Sequence, residues 1–113
     1  MLARRFRLVS PRDFALIYKT SRRRTSRYFL IRLARGRSPV TRLAVVVSTK
    51  VSKRAVVRNR LKRQVRAVAR ELLPNLPTGW DIIITVRQVV TDRSTWPIFR
   101  EELRNLLTPP FSG

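Results

Sequence analysis

Residues 43–73 read LAVVVSTKVSKRAVVRNRLKRQVRAVARELL. The first five, Leu43 to Val47, are apolar and mostly β-branched. That composition suits a strand covered on both faces, so a central strand is expected there. The period then changes. Val57, Leu61, Val65, Val68 and Leu72 recur at steps of four, four, three and four. This is the apolar stripe of a helix, predicted from about Lys53 to Leu73. Ser52 is placed to cap its start and Pro74 to stop it. A helix this long can cross over to a parallel neighbouring strand.

That neighbour follows in the chain. Pro74 to Gly79 reads as a loop, and Trp80 to Val86 contains Ile82-Ile83-Ile84, a second buried strand. A last helix is expected from near Ser94, with Trp96, Phe99, Leu103 and Leu106 on one face and Pro109-Pro110 at its end. Upstream, Tyr28 to Arg35 alternates: Phe29, Ile31 and Leu33 point one way, and Tyr28, Leu30 and Arg32 the other. Gly36-Arg37-Ser38-Pro39 reads as a turn, so this strand and Leu43–Val47 are expected to form a hairpin. Ser10-Pro11-Arg12-Asp13 carries the signals of a helix start. Phe14, Ile17 and Tyr18 share a face of that helix, which should fade near Thr20-Ser21, before Arg22-Arg23-Arg24. Residues 1–9 read as a basic arm and 108–113 as a short tail around a single domain. The order is α-β-β-α-β-α: an α/β two-layer sandwich of the α+β kind, with helices packed on a small mixed sheet.

Charge narrows the function. The 26 basic residues face 6 acidic ones, a net charge of +20 on 113 residues, which repels itself unless a polyanion binds. Hydrophobic residues make up 43%, so the chain folds around a core and is no disordered basic tail. All but four of the basic residues are arginines, whose planar forks grip phosphate and stack on bases. No apolar run approaches the ~20 residues that span a bilayer, and the start lacks a secretory apolar segment. A cytoplasmic protein bound to nucleic acid is the expectation, with no membrane and no small-molecule substrate.

Side chains able to perform catalysis are scarce. Histidine and cysteine are absent, and the carboxylates are Asp13, Glu71, Asp81, Asp92, Glu101 and Glu102. Glu101 and Glu102 are helix neighbours about 100° apart, so they make no metal-binding pair. A two-metal nuclease site needs several converging carboxylates. The glycines are Gly36, Gly79 and Gly113, which excludes a Gly-rich phosphate loop. No catalytic residue, no metal ligand and no cofactor held by protein side chains alone are therefore expected.

The binding signal lies on the long helix. Asn59, Lys62, Arg63, Arg66 and Arg70 cluster opposite the apolar stripe, with Arg58 and Arg60 flanking and Lys50, Lys53 and Arg54 leading in. A solvated face normally mixes signs and pairs charges at i,i+4, but this one has no acid until Glu71. Phosphate against it would reverse the repulsion. Arg58-Asn59-Arg60, followed by Leu61-Lys62-Arg63 and Arg66 and preceded by the strand end Val46-Val47-Ser48-Thr49-Lys50, resembles the signature of the bacterial ribonuclease P protein family. Arg5-Phe6-Arg7-Leu8, the Asp13–Tyr18 helix and the Trp80–Val86 strand extend the resemblance over about residues 4–107.

The resemblance implies more than spacing does. It implies a left-handed β-α-β crossover, against the usual rule. It implies a catalytic RNA partner that carries the active site and its Mg²⁺, and a precursor tRNA substrate whose 5′ leader is removed. It places Arg58, Asn59, Arg60, Lys62, Arg63 and Arg66 near the RNA core, and Phe14 and Tyr18 in a leader-binding cleft. Where the family often has a further aromatic, this chain has Arg32, and Tyr28 on the same face is the expected substitute. Ser21 and Ser52 stand where glycines are usual. The alternative from composition alone is a small basic ribosomal protein, distinguished by the RNA that co-purifies.

Overall fold

The computed structural model describes residue 7 and residues 10–36, 38–89 and 95–109. The basic arm apart from Arg7, the Ser94 helix start, Arg37 of the turn and the tail beyond Pro109 lie outside the described residues. The elements are α1 (Pro11–Thr20), β1 (Arg22–Thr25), β2 (Phe29–Arg35), β3 (Arg42–Val47), α2 (Ala55–Leu72), β4 (Trp80–Val86) and α3 (Trp96–Leu106), with a 3₁₀ turn at Leu73–Asn75. The sheet runs β1-β2-β4-β3, antiparallel except for the parallel β3–β4 pair.

This topology corrects two expectations. The strand at Leu43–Val47 neither forms a hairpin with β2 nor lies at the centre of the sheet; β4 sits between them. Six of the seven β4 residues are buried, so β4 has apolar cover on both faces and takes the middle. β3 lies outside it, and on its outer side Arg7 pairs with Leu43 in an isolated parallel bridge. The hairpin that does form joins β1 to β2, with Arg22 opposite Leu33 and Thr25 opposite Leu30. The arginine run, expected as a break after the first helix, is this edge strand. At an edge its long charged side chains reach solvent and discourage a further strand from adding.

Alternation divides the core between the two sheet faces. Phe29, Ile31, Leu33, Leu43, Val45, Val47, Ile82 and Ile84 meet Leu61, Val65, Val68 and Ala69 of α2 and Phe99 and Leu103 of α3. Phe99 is fully buried between Phe29, with centroids 4.5 Å apart, and Trp96 at 5.2 Å. Burying a ring of this size contributes about 1.5–3 kcal/mol. On the other face α1 is the one helix among the described residues. Ile17 packs on Ala34 and Ile83, with Phe14, Ala44 and Val46 around it, and Leu30, Arg32 and Thr85 of the same face are half-buried.

The helix starts differ in detail from the sequence reading. Ser10 is the N-cap of α1, but its hydroxyl caps nothing, and Asp13 turns to Arg42 instead. Arg54, not Ser52, is the N-cap of α2, while the Ser52 hydroxyl accepts a bond from the Arg54 N–H at 3.2 Å. Gly79, at φ 82°, makes the left-handed turn into β4 that side-chain-bearing residues rarely adopt.

Candidate nucleic-acid interface

The sheet face beside α1 gathers the first set of residues. Phe14 and Tyr18 are one helical turn apart, with ring centroids at 6.4 Å and planes tilted by 32°. Phe14 is half-buried against the Ile17 cluster, while Tyr18 is 47% exposed and free to meet a ligand. From β2, the Arg32 guanidinium lies over the Tyr18 ring at 4.7 Å. An arginine held over a ring loses less freedom when it binds phosphate. Arg23 stands directly across from Arg32 in the β1–β2 register, which puts it on the same face. Like charges placed opposite cost stability unless an anion lies between them.

Tyr28 is a correction. It precedes β2 in a tight bend and is buried on the α3 side, edge-on to Phe99 at 5.6 Å. It does not share the face of Arg32, because the bend interrupts the alternation that would have placed it there. Arg32 itself occupies the position beside the two α1 rings.

The second set lies on α2. Leu61, Val65, Val68 and Ala69 are buried, and Asn59, Arg60, Arg63 and Arg70 are exposed on the outward side, with Lys62 and Arg66 half-buried at its margin. Val56, Asn59, Lys62, Arg63 and Arg66 line a shallow hollow of about 400 Å³. Lys50, Lys53 and Arg54 are exposed on the approach to the helix. Arg58 points toward the packed side, half-buried, and its Nη1 donates to the Ser52 carbonyl at 2.9 Å. It therefore ties down the loop before α2 as well as flanking the charged face.

The family model described as Ribonuclease P matches residues 2–109. The chain belongs to the ribonuclease P protein family. It is 39% identical to the ribonuclease P protein component of a Cyanothece species, covering 96% of this chain and 94% of that one. It is 40% identical to that of Microcystis aeruginosa, over 89% and 87%. Among solved structures it resembles the RNase P protein of Thermotoga maritima, with a TM-score of 0.74, 33% identity and coverage of 89% and 94%. It also resembles a Staphylococcus aureus RNase P protein mutant described as defective in mRNA degradation, with a TM-score of 0.79, 29% identity and coverage of 91% and 86%.

As a ribonuclease P protein, the chain is the non-catalytic subunit of a ribonucleoprotein endoribonuclease of tRNA processing, and its partner is the ribonuclease P RNA. Four of its six acids have structural contacts. The Arg42 guanidinium donates from Nε to Asp81 Oδ1 at 3.0 Å and from Nη2 to Oδ2 at 2.8 Å, and Nη1 pairs with Asp13 at 3.2 Å. The hydrogen-bonded Asp81 carboxylate, then Asp13, hold Arg42 above its ordinary pKa against the opposing effect of burial. Glu102 accepts the Tyr28 N–H at 3.2 Å, and Glu101 sits 4.0 Å from Arg104. Among the described residues no three His, Cys, Asp or Glu side chains come together, and no helix is long and apolar enough to cross a membrane.

Three arginine contacts had no sequence signal. Arg42 and Asp81 are 39 residues apart, and Arg24 reaches 82 and 84 residues along the chain to the carbonyls of Leu106 and Thr108. Arg35 lies over the Trp80 ring at 4.8 Å, its directly paired neighbour on β4. Periodicity says nothing about partners brought together by sheet order.

Proposed function

We propose that this ribonuclease P protein holds the single-stranded 5′ leader of precursor tRNA on the sheet face beside α1, while the outward side of α2 lies against the catalytic RNA. The carrying observation is the Arg32–Tyr18 stack at 4.7 Å next to Phe14. Stacking rings beside a fixed cation suit single strands, because every base has a π-face and every link a phosphate. The α2 face, basic until Glu71, suits the phosphates of a folded RNA. Cleavage and its Mg²⁺ belong to the RNA in this reading, and both partners meet in the cytoplasm.

The test compares precursor tRNA with mature tRNA as ligands of the reconstituted holoenzyme. Phe14→Ala and Tyr18→Ala should weaken binding of the leader-bearing substrate, by roughly 1–3 kcal/mol per lost base stack, and leave mature tRNA nearly unchanged. Equal weakening of both ligands by folded variants returns these rings to a purely packing role.

A further inference from the structure

The side of β2 opposite the Arg32–Tyr18 stack carries a second cationic platform. Arg35 ends β2, exposed, with its guanidinium 4.8 Å from the Trp80 ring centroid. Thr20, Arg22, Leu33, Ala34, Arg35 and Trp80 line a hollow of about 340 Å³ where α1 runs into the edge strand β1. Arg22 is exposed at the start of β1, opposite Leu33. It thus belongs to the same sheet face as Leu33 and Arg35, whereas Arg23 belongs to the face of Arg32. Among the described residues neither Arg22 nor Arg35 has a carboxylate partner.

We infer that this hollow is a second subsite for single-stranded RNA, taking a phosphodiester and base of the leader upstream of those held by Phe14 and Tyr18. The inference rests on the leader reading above. Arg32 and Arg35 are three residues apart, about 10 Å along a strand, and a path between their two faces must also round β1. A short extended stretch of RNA covers that distance, passing Arg23 and Arg22 at the open edge. Among the described residues no strand pairs beyond β1, so the RNA strand can turn around that edge. Arg35, resting over the Trp80 ring, presents a planar guanidinium on which a base can stack, while Arg22 meets the phosphate. Edge strands often carry charge simply to resist aggregation, and long side chains often cover buried rings. Neither explains why both cations border one hollow at the corner reached from the Tyr18 stack.

The experiment measures holoenzyme affinity for precursor tRNAs with leaders of about 4, 8 and 16 nucleotides, as a function of salt. The wild type should gain affinity with each extension. The Arg22→Gln/Arg35→Gln variant should lose about tenfold on the longest leader, the equivalent of one charge-assisted contact, and nothing on the shortest. Its salt slope on the longest leader should flatten by about one unit. Arg22→Gln alone, at an exposed edge position, should show part of this loss and keeps the test open should the double variant melt. Arg35→Lys, which keeps the charge without the planar stack, should lose affinity for the longest leader only. No loss at any length, or the same loss with mature tRNA, overturns the subsite. Failure of the cleft reading itself looks different: Tyr18→Ala would then leave even the shortest leader unaffected.

Discussion

Replacing Asp81 by asparagine tests what fixes α1 over the sheet. Asp81 is 5% exposed, and both its oxygens are bonded to Arg42, which also reaches Asp13 in the first turn of α1. Asparagine keeps the volume and one acceptor, but turns an NH₂ group toward the guanidinium. One charge-assisted bond is lost, worth about 1.5–3 kcal/mol. The surface-pair range of about 0.2–1 kcal/mol does not apply, because the two side chains are only 20% and 7% exposed. The buried-pair range of about 3–5 kcal/mol is too high, because Asp13 still partners Arg42 at 3.2 Å. A loss of about 2 kcal/mol follows, lowering Tm by roughly 6–12 °C.

Thermal and urea unfolding followed by circular dichroism read this directly, and a double-mutant cycle with Arg42→Met isolates the pair. Gly36 supplies an independent arm. A Cβ there would fall 2.7 Å from Asp81 Oδ1 and 2.8 Å from its Cγ. Gly36→Ala should therefore push the carboxylate off Arg42 and cost about 1–3 kcal/mol, yet almost nothing in an Asp81→Ala background. Additivity within about 0.5 kcal/mol across the Arg42–Asp81 cycle would refute the reasoning.

Two further expectations concern the RNA. Arg63→Gln/Arg66→Gln should weaken binding of the catalytic RNA and flatten the log–log salt dependence by about one unit per contact; an unchanged slope in a folded variant places the interface elsewhere. Replacing each of the six acids in turn by alanine or asparagine should leave the chemical step of holoenzyme cleavage intact; a loss of several orders of magnitude with assembly preserved would put catalysis on this chain.

The parts of the fold with a strong local period were legible. The stripe from Val57 to Leu72 placed α2 within two residues of its observed start, and Ile82-Ile83-Ile84 placed β4. Sheet order was not legible, because any apolar strand looks central by itself. Leu43–Val47 is nearly as apolar as β4, and only competition for cover on both faces decided between them. β1 escaped because Arg22-Arg23-Arg24-Thr25 has no buried alternation; its strand character comes from pairing with β2 alone. In the interface, Phe14, Tyr18 and Arg32 came together as their helix and strand positions required, whereas one bend took Tyr28 to the far side.

The distribution of acids sets a last expectation, about the protein without its RNA. Arg42 alone engages two of the six carboxylates, Asp13 and Asp81, and Glu102 serves the Tyr28 backbone. Little negative charge is left to offset the arginines of β1 and α2, so folding compresses their repulsion. A polyanion that binds only the native surface must then stabilise it, by about 2.7 kcal/mol at a hundred times its dissociation constant. Thermal unfolding with micromolar polyphosphate or single-stranded RNA should show a rise in Tm of roughly 8–16 °C. At that concentration the general salting effect of phosphate on apolar burial is negligible. The rise should shrink in the Arg63→Gln/Arg66→Gln variant, since those charges face the ligand. A Tm that stays fixed while binding is saturated would mean that the native and unfolded chains bind polyanion equally well. The fold would then do no more than the bare charge, and the arrangement of arginines on α2 and β1 would carry no binding advantage.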